Sequence, residues 1–456
     1  MNMDWNQLLC DCRYGGDDTH RNTHRTEFEE DFDNIIFSPA FRRLQGKAQV
    51  FSLSGSDYVR TRLTHSCEVA TNGRALGTMV ENLTCAPGKP TRKNTPRPSN
   101  FGTLVAAACL AHDIGNPPFG HSGEEAIRQW FKSSKIARQL KRQMTPAQRL
   151  ELENYEGNAQ GFRLVTRLQG NGQGLKLTYA TLAVMTKYPW AAGANPNASS
   201  AKFGFFQNDR TAFQEVADRT GLLRGSKLKW RWCRHPLAYL VEGADDICNR
   251  IIDLEDAARL RILGFDRVLK LFQDLERVLP KNRSSATFQG NCNDAKGKAE
   301  FLARKLLPKL TVTVAQAYLR NAPGIMQGKP IAPLVKCLDK QVQDALDSIQ
   351  VTMKNEVFKA RQVIEVEVPA FRLLETLLDT FVEANEELCG RKRRKGPSKR
   401  SELIKSYIPA EFSSDRDDCA DRSPYARVLD MLDFVSGMTD AYSVSLYKAI
   451  TGISLP

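Results

Sequence analysis

The 456-residue chain is predicted to be mainly α-helical. Three observations point there. In YLVEGADDICNRIIDLEDAARL, apolar residues return at steps of three and four, and Leu240, Ala244, Ile247, Ile251 and Leu254 share one helical face. TYATLAVMTKY, from Thr178, and residues 425–450 repeat that period. Alternating segments are scarce, and VIEVEVP (363–369), stopped by its proline, is the best short strand. The expected architecture is a helical bundle enlarged by helical insertions and a C-terminal helical layer, with few short strands. Residues 1–270 hold most of the chemically suggestive residues and read as the catalytic core with its N-terminal segment. Residues 271–456 read as a C-terminal helical region that completes the pocket and carries subunit contacts.

Composition narrows the function classes. The 41% hydrophobic content suits a globular protein, and no apolar run has membrane-spanning length. The first residues, MNMDWNQLLCDCRYGG, lack a basic-then-apolar leader, so a cytoplasmic location is expected. Eleven cysteines include no C-x-x-C pair. Cys109 and Cys248 sit among apolar neighbours and read as reduced core thiols, and the close pair Cys10 and Cys12 reads as incidental. The net charge of +13 suits polyanionic partners. Its sharpest cluster, GRKRRKGPSKR (390–400), reads as an exposed basic loop, either solvated or in salt-dependent contact with phosphates. Residues 85–100 and 193–210 read as loops, rich in Pro, Gly and polar residues.

The chemistry concentrates in HDIGNPPFGHSGEE (112–125). Adjacent helical residues point about 100° apart, so His112 and Asp113 converge on one ion only near a helix end. Ile114-Gly115-Asn116-Pro117-Pro118 supplies that end, after the apolar run LVAAACLA. Imidazole with carboxylate suits Mn²⁺, Mg²⁺, Fe²⁺, Co²⁺ or Ni²⁺ better than a thiolate set would. His65 lies 47 residues upstream, room for a helix, a loop and a returning helix. Asp245, Asn249 and Asp253 stand at i, i+4, i+8 and line one polar face opposite the apolar stripe. Ser122 reads as a helix N-cap with Glu125 closing an S-x-x-E capping box. His121 then lies just before that helix and Glu124 in its first turn, close enough for the acid to orient the imidazole.

These residues resemble a known family. H…HD…D is the signature of the HD phosphohydrolases, and the surrounding strings are similar to its deoxynucleoside-triphosphate triphosphohydrolase (dGTPase-like) branch. They are FRRLQGKAQVF, YVRTRLTHSCEVA, AHDIGNPPFGHSGEEAI, NAQGFR, ATLAVMTKYPW, VEGADDICNRIIDLEDA and SGMTDAYSVSLY, in order over most of the chain. The resemblance implies an HD-domain bundle with His65, His112, Asp113 and Asp245 as metal ligands and Asp246 outside the set. It implies His121 and Glu124 as the catalytic pair, the imidazole activating water or protonating a leaving oxygen. Arg62 and Lys187 would face the phosphates, Tyr188 would hydrogen-bond the phosphates or border the sugar, Asn158 would be a polar neighbour, Asp253 would accept from the sugar 3′-hydroxyl, and Gln49 and Val50 would meet the base. Arg43, Asp440 and Tyr442 are weaker candidates, equally suited to core hydrogen bonds. The branch typically has tyrosine where this chain has Asn249, which puts sugar and base selection in question.

The implied activity is metal-dependent (Mn²⁺ or Mg²⁺) hydrolysis of a dNTP, dGTP foremost, to the deoxynucleoside and inorganic triphosphate. The implied assembly is a homo-oligomer, often a hexamer, with single-stranded DNA as a further partner. Two rivals share the site: an HD phosphodiesterase or nuclease acting on oligonucleotides or cyclic nucleotides, and a nucleic-acid-binding regulator with weak hydrolysis.

Overall fold

A computed structural model describes residues 2–16, 24–53, 58–84, 100–169, 172–195, 200–225, 229–280, 294–389, 396–409, 412 and 422–453. Among these the protein is built of helices, and its only β pairing is four isolated bridges. The helices that set the site are α1 (Glu27–Phe37), α2 (Arg62–Thr84), α3 (Phe101–Ala111), α4 (Gly120–Ser133), α5 (Gly157–Arg163) and α6 (Tyr179–Met185). They continue with α7 (Ala238–Arg259), α8 (Phe265–Val278), α9 (Ala295–Met326), α10 (Lys340–Thr352), α11 (Arg361–Cys389), α12 (Lys399–Lys405), α13 (Pro424–Ser436) and α14 (Asp440–Thr451).

The tightest packing joins α2 to α3. Ten of the eleven residues of α3 are buried, Ala106, Ala107 and Ala108 with no exposed surface. Small residues allow the two backbones to close. A Cβ on Gly77 would lie 2.6 Å from the Phe101 carbonyl oxygen, and one on Gly73 would lie 2.5 Å from Cys109 Sγ. Contacts run from Gly77–Phe101 through Gly73–Cys109 towards His65 and His112, so the helices are antiparallel and both histidines share one end. Helix α7 lies across this pair, tied by Asn72 Nδ2 donating to Ala244 O at 3.5 Å. Its Ala244, Ile247, Ile251 and Leu254 are buried, as the period predicts. Helix α9 closes the outside of α2, α7 and α8.

A second apolar core joins α4, α11 and α13. Here the strand expected at 363–369 is corrected: those residues lie within α11, and Pro369 is inside the helix. Proline in a helix interior costs ~3 kcal/mol. Leu373, Leu374, Leu377, Leu378 and Phe381, all buried against α4 and α13, supply a larger opposing term at about 1.5–3 kcal/mol each. The expectation of short strands likewise gives way to isolated bridges.

Cys109 and Cys248 are free and buried, and Cys10 and Cys12 are free, as expected, whereas Cys389 is disulfide-bonded. Within the loop expected at 193–210, residues 207–209 form a helical turn and Arg210 begins a helix. Residues 85–99 and 390–395, most of the first expected loop and of the basic cluster, lie outside the described residues. Lys399 and Arg400 begin α12. No described helix is long and apolar enough to cross a membrane.

Candidate metal centre and acid–base pair

Where α2 and α3 meet, His65, His112 and Asp113 each offer a ligand atom, and these atoms lie within 4.8 Å of one another. Asp245, on α7, brings Oδ1 to 3.2 Å from His65 Nε2 and 3.6 Å from His112 Nε2. The donors are two imidazoles and two carboxylates, an N/O set that fits a divalent first-row metal or Mg²⁺. Backbone geometry aims the imidazole of His112. Its Nδ1 donates to Cys109 O at 2.6 Å, one turn back, which leaves Nε2 for the cluster. Asp113 is held on both oxygens, by Arg62 on Oδ2 and by Asn116 Nδ2 on Oδ1 at 2.6 Å. Burial pushes the carboxyls of Asp113 and Asp245 up, but neighbouring cations and imidazoles outweigh it. Arg62, His112 and His65 hold Asp113 well below the usual range, and His65 and His112 lower Asp245 to about 2. Asp246 pairs with Arg250 at 2.9 Å.

The HD loop is clamped rather than free. A Cβ on Gly115 would lie 2.1 Å from Gly161 N and 2.2 Å from Gly157 O, so only glycine lets the loop rest on α5. Lys47 Nζ donates to Asn116 O at 2.6 Å and to Ser436 O at 2.8 Å. Burial pushes that lysine down to about 7. The loop then enters α4 through Phe119 and Gly120 with positive φ, 61° and 53°. This corrects the expected capping box. The helix begins at Gly120, no side chain caps it, and Ser122 lies in its first turn. Phe119 N donates instead to Asp440 Oδ1 at 3.0 Å, which fixes the entry and gives Asp440 its place as a core acceptor. Glu125 pairs with Arg128 at 3.3 Å.

His121 and Glu124 do meet, Nδ1 to Oε2 at 3.4 Å. The two differ sharply in setting, with side-chain exposures of 88% for His121 and 3% for Glu124. Glu124 accepts from Gly157 N at 2.7 Å and faces Arg128 at 3.2 Å and Lys202 at 3.6 Å. Its burial raises the carboxyl, but His121, Lys202 and Arg128 together bring it down to about 2.

Of the other expected residues, Arg62, Gln49 and Asn249 bond into the metal cluster. Gln49 Nε2 donates to Asn249 Oδ1 at 3.0 Å, and Asn249 Nδ2 donates to Asp245 Oδ1 at 2.8 Å. Asp253, one turn beyond Asn249, is buried. Burial, Asp256 and Asp245 push its carboxyl well up. Val50 packs, half-buried, against the core. Lys187 pairs with Glu242 at 3.3 Å and lies 5.8 Å from the Tyr188 ring centre. Asn158 Nδ2 donates to Glu156 Oε1 at 2.6 Å. Arg62 pairs with the Asp113 carboxylate and leaves its Nε buried without a partner. Tyr442 is 45% exposed on α14.

Sequence reasoning missed several members. Lys202 reaches Glu156 at 2.8 Å as well as Glu124, and Arg128 bridges Glu124 and Glu125. Arg234 pairs with Glu242 at 2.8 Å behind Lys187. Lys202 stands in a polar stretch of no helical period, so nothing local marked it. Arg128 carried a signal, standing at i+4 from Glu124 on a helix.

A helical fold carrying two clustered His and two Asp side chains together with a His–Glu pair defines an HD-domain hydrolase, and the HD domain family matches residues 62–160. Relatives match end to end. The chain is 37% identical over 472 residues to a "deoxyguanosinetriphosphate triphosphohydrolase-like protein" of Synechocystis sp., covering 99% of this chain and 100% of that one. Proteins with the same printed name from Pseudomonas aeruginosa (36%, all of both chains) and Listeria monocytogenes (32%, 99% and 100%) are similar throughout. The chain belongs to this deoxyguanosinetriphosphate triphosphohydrolase-like family of HD hydrolases.

Proposed function

We propose that the protein hydrolyses a deoxynucleoside triphosphate, dGTP foremost, to the deoxynucleoside and inorganic triphosphate. The observation that carries this is the placement of an N/O metal-competent cluster and a separate His–Glu pair at the two ends of one clamped loop. The relatives' printed name supports the substrate class. His65, His112, Asp113 and Asp245 would hold Mn²⁺ or Mg²⁺. A divalent ion there supplies Lewis acidity to a phosphoryl oxygen.

The chain's own groups do the rest. Lys187, Arg62 and Tyr188 line the path for the phosphates, and fixed cations there stabilise charge that develops on them. Glu124 stays ionised and orients the imidazole of His121, which moves a proton to or from the reacting oxygens. Water forms the new bond to the α-phosphorus, the bond from that phosphorus to the 5′-oxygen breaks, and the 5′-oxygen takes a proton. Triphosphate is released intact.

The test is product identification with purified protein, Mn²⁺ and each dNTP. Triphosphate plus deoxynucleoside is expected. Pyrophosphate plus monophosphate, or cleavage of oligonucleotides in preference to dNTPs, would overturn the reading. The same reading places the protein in the cytoplasm as a homo-oligomer, which light scattering of the purified protein would show as a multiple of 51.1 kDa. It also makes the basic residues 391–395 a contact for single-stranded DNA, to be lost when they are neutralised.

A further inference from the structure

The first half of α11 leaves one face to solvent. Its inner side is buried: Val363 packs in the first core, and Ala370, Leu373, Leu374 and Leu377 pack in the second. At about 100° per residue, the opposite side carries Arg361, Ile364, Glu365, Val368, Arg372 and Glu375 along one stripe. Two of these are large apolar side chains left in water, Ile364 at 42% and Val368 at 63% exposure. They lie one turn apart, adjacent rather than scattered. Phe358, in the turn that leads into the helix, is exposed as well. The charged members pair within the helix, Arg361 with Glu365 at 2.6 Å and Arg372 with Glu375 at 3.0 Å. Exposed pairs of this kind add little stability, so little is lost if their partners change.

The order of the charges assigns the partner. Along the stripe it runs plus, minus, Val368, plus, minus. Arg361 and Glu375 stand seven residues either side of Val368, and Glu365 and Arg372 stand three before it and four after it. Turned end for end about Val368, the stripe lays each positive side chain on a negative one. A two-fold contact uses the same patch on both copies, so the patch must be complementary to itself. This one is. We propose that the outer face of α11 is a two-fold contact between two copies of this chain, the helices antiparallel and Val368 at the axis. Arg361 of each copy meets Glu375 of the other, Glu365 meets Arg372, and Ile364 and Val368 leave water. This goes beyond the homo-oligomer expected above by fixing where two copies meet and which side chains pair.

The experiment is disulfide trapping in the full-length protein. Val368→Cys sets a thiol beside its own copy at the axis, and mild oxidation should join two chains, read on a non-reducing gel. Lys340→Cys, at an exposed position on α10, is the control, and its covalent dimer should form at least about tenfold more slowly. In the Val368→Cys background, Glu365→Arg or Arg372→Glu alone opposes like charges and should slow trapping about tenfold. The two together restore opposite charges across the axis and should bring the rate back. An effect confined to the helix predicts the reverse, because the double variant has like charges at 361 and 365 and again at 372 and 375. Trapping no faster at Val368 than at Lys340, or a double variant no faster than either single one, overturns the contact. If the protein is still a multiple of 51.1 kDa in that case, the homo-oligomer stands on another surface. A wild-type protein that stays monomeric overturns both.

Discussion

The two ends of the HD loop carry the same pair of side chains, an imidazole and a carboxylate, in opposite states. At one end His112 is fixed by its own helix through Cys109 O and Asp113 is held on both oxygens. At the other, Glu124 is fixed by Gly157, Arg128 and Lys202, while His121 stands 88% exposed and touches only at 3.4 Å. The contrast follows the chemistry each end serves. Metal ligands must be aligned before the ion arrives, because their mutual repulsion and desolvation are met by the fold. An acid–base group has to approach a substrate oxygen, and it needs an anchored partner more than an anchored ring.

Substitutions at the two ends should therefore separate metal from proton transfer. Replacing His112 with Ala is expected to remove bound Mn²⁺, read by elemental analysis after dialysis, and to lower hydrolysis at least about a thousandfold. Equal Mn²⁺ content in that variant would break the comparison. His121→Ala should keep full Mn²⁺ content and lose about 10²-fold in kcat, the low end for an acid–base group because the ring is so loosely tied. Loss of metal there would merge the two ends into one site.

Acid stability sharpens the contrast at Glu124. Its folded pKa, about 2, lies below the ordinary value of 4.5. The stabilisation is complete above about pH 5 and is lost as pH falls through 2, about 3 kcal/mol in all. Glu124→Gln cannot titrate. Urea unfolding at pH 7 and pH 3 should therefore show the wild type losing more stability than the variant across that interval. The smallest effect belongs to Lys47, which spans the loop between the two ends. Its folded pKa, about 7, lies below the ordinary 10.5, so the unfolded chain binds more protons between those values and stability rises with pH. From pH 7 to 8 the gain is about 1 kcal/mol, and Lys47→Met should abolish this slope.

Much of this was legible in the residues. The period of 240–254 placed α7 and its polar face, and Asn249 does bond to Asp245 one turn away. The glycines and prolines after Asp113 foretold the turn. What failed was local pattern set against tertiary packing. VIEVEVP alternates, yet the leucines that follow it carry the segment into α11 despite Pro369. Ser122-x-x-Glu125 has the spacing of a cap, but Asp440, more than three hundred residues away, takes the N–H that fixes the helix start. Lys202 and Lys47 were invisible for the same reason. Their partners, Glu156 and Ser436, are neighbours only once the chain has folded.

That wiring bears on when the site can exist. Lys47 with Ser436, Ala48 with Asp440, Phe119 with Asp440, and Arg163 with Asp433 each join the first 163 residues of the chain to its last thirty. A ribosome delivers those two segments far apart in time. Residues 112–125 would leave it early and stay without their outer wall until α13 and α14 emerge. Long-range closure of this kind is slow and leaves apolar surface open in the interval. Nascent chains arrested before residue 433 should thus hold their histidines but lack a finished active site.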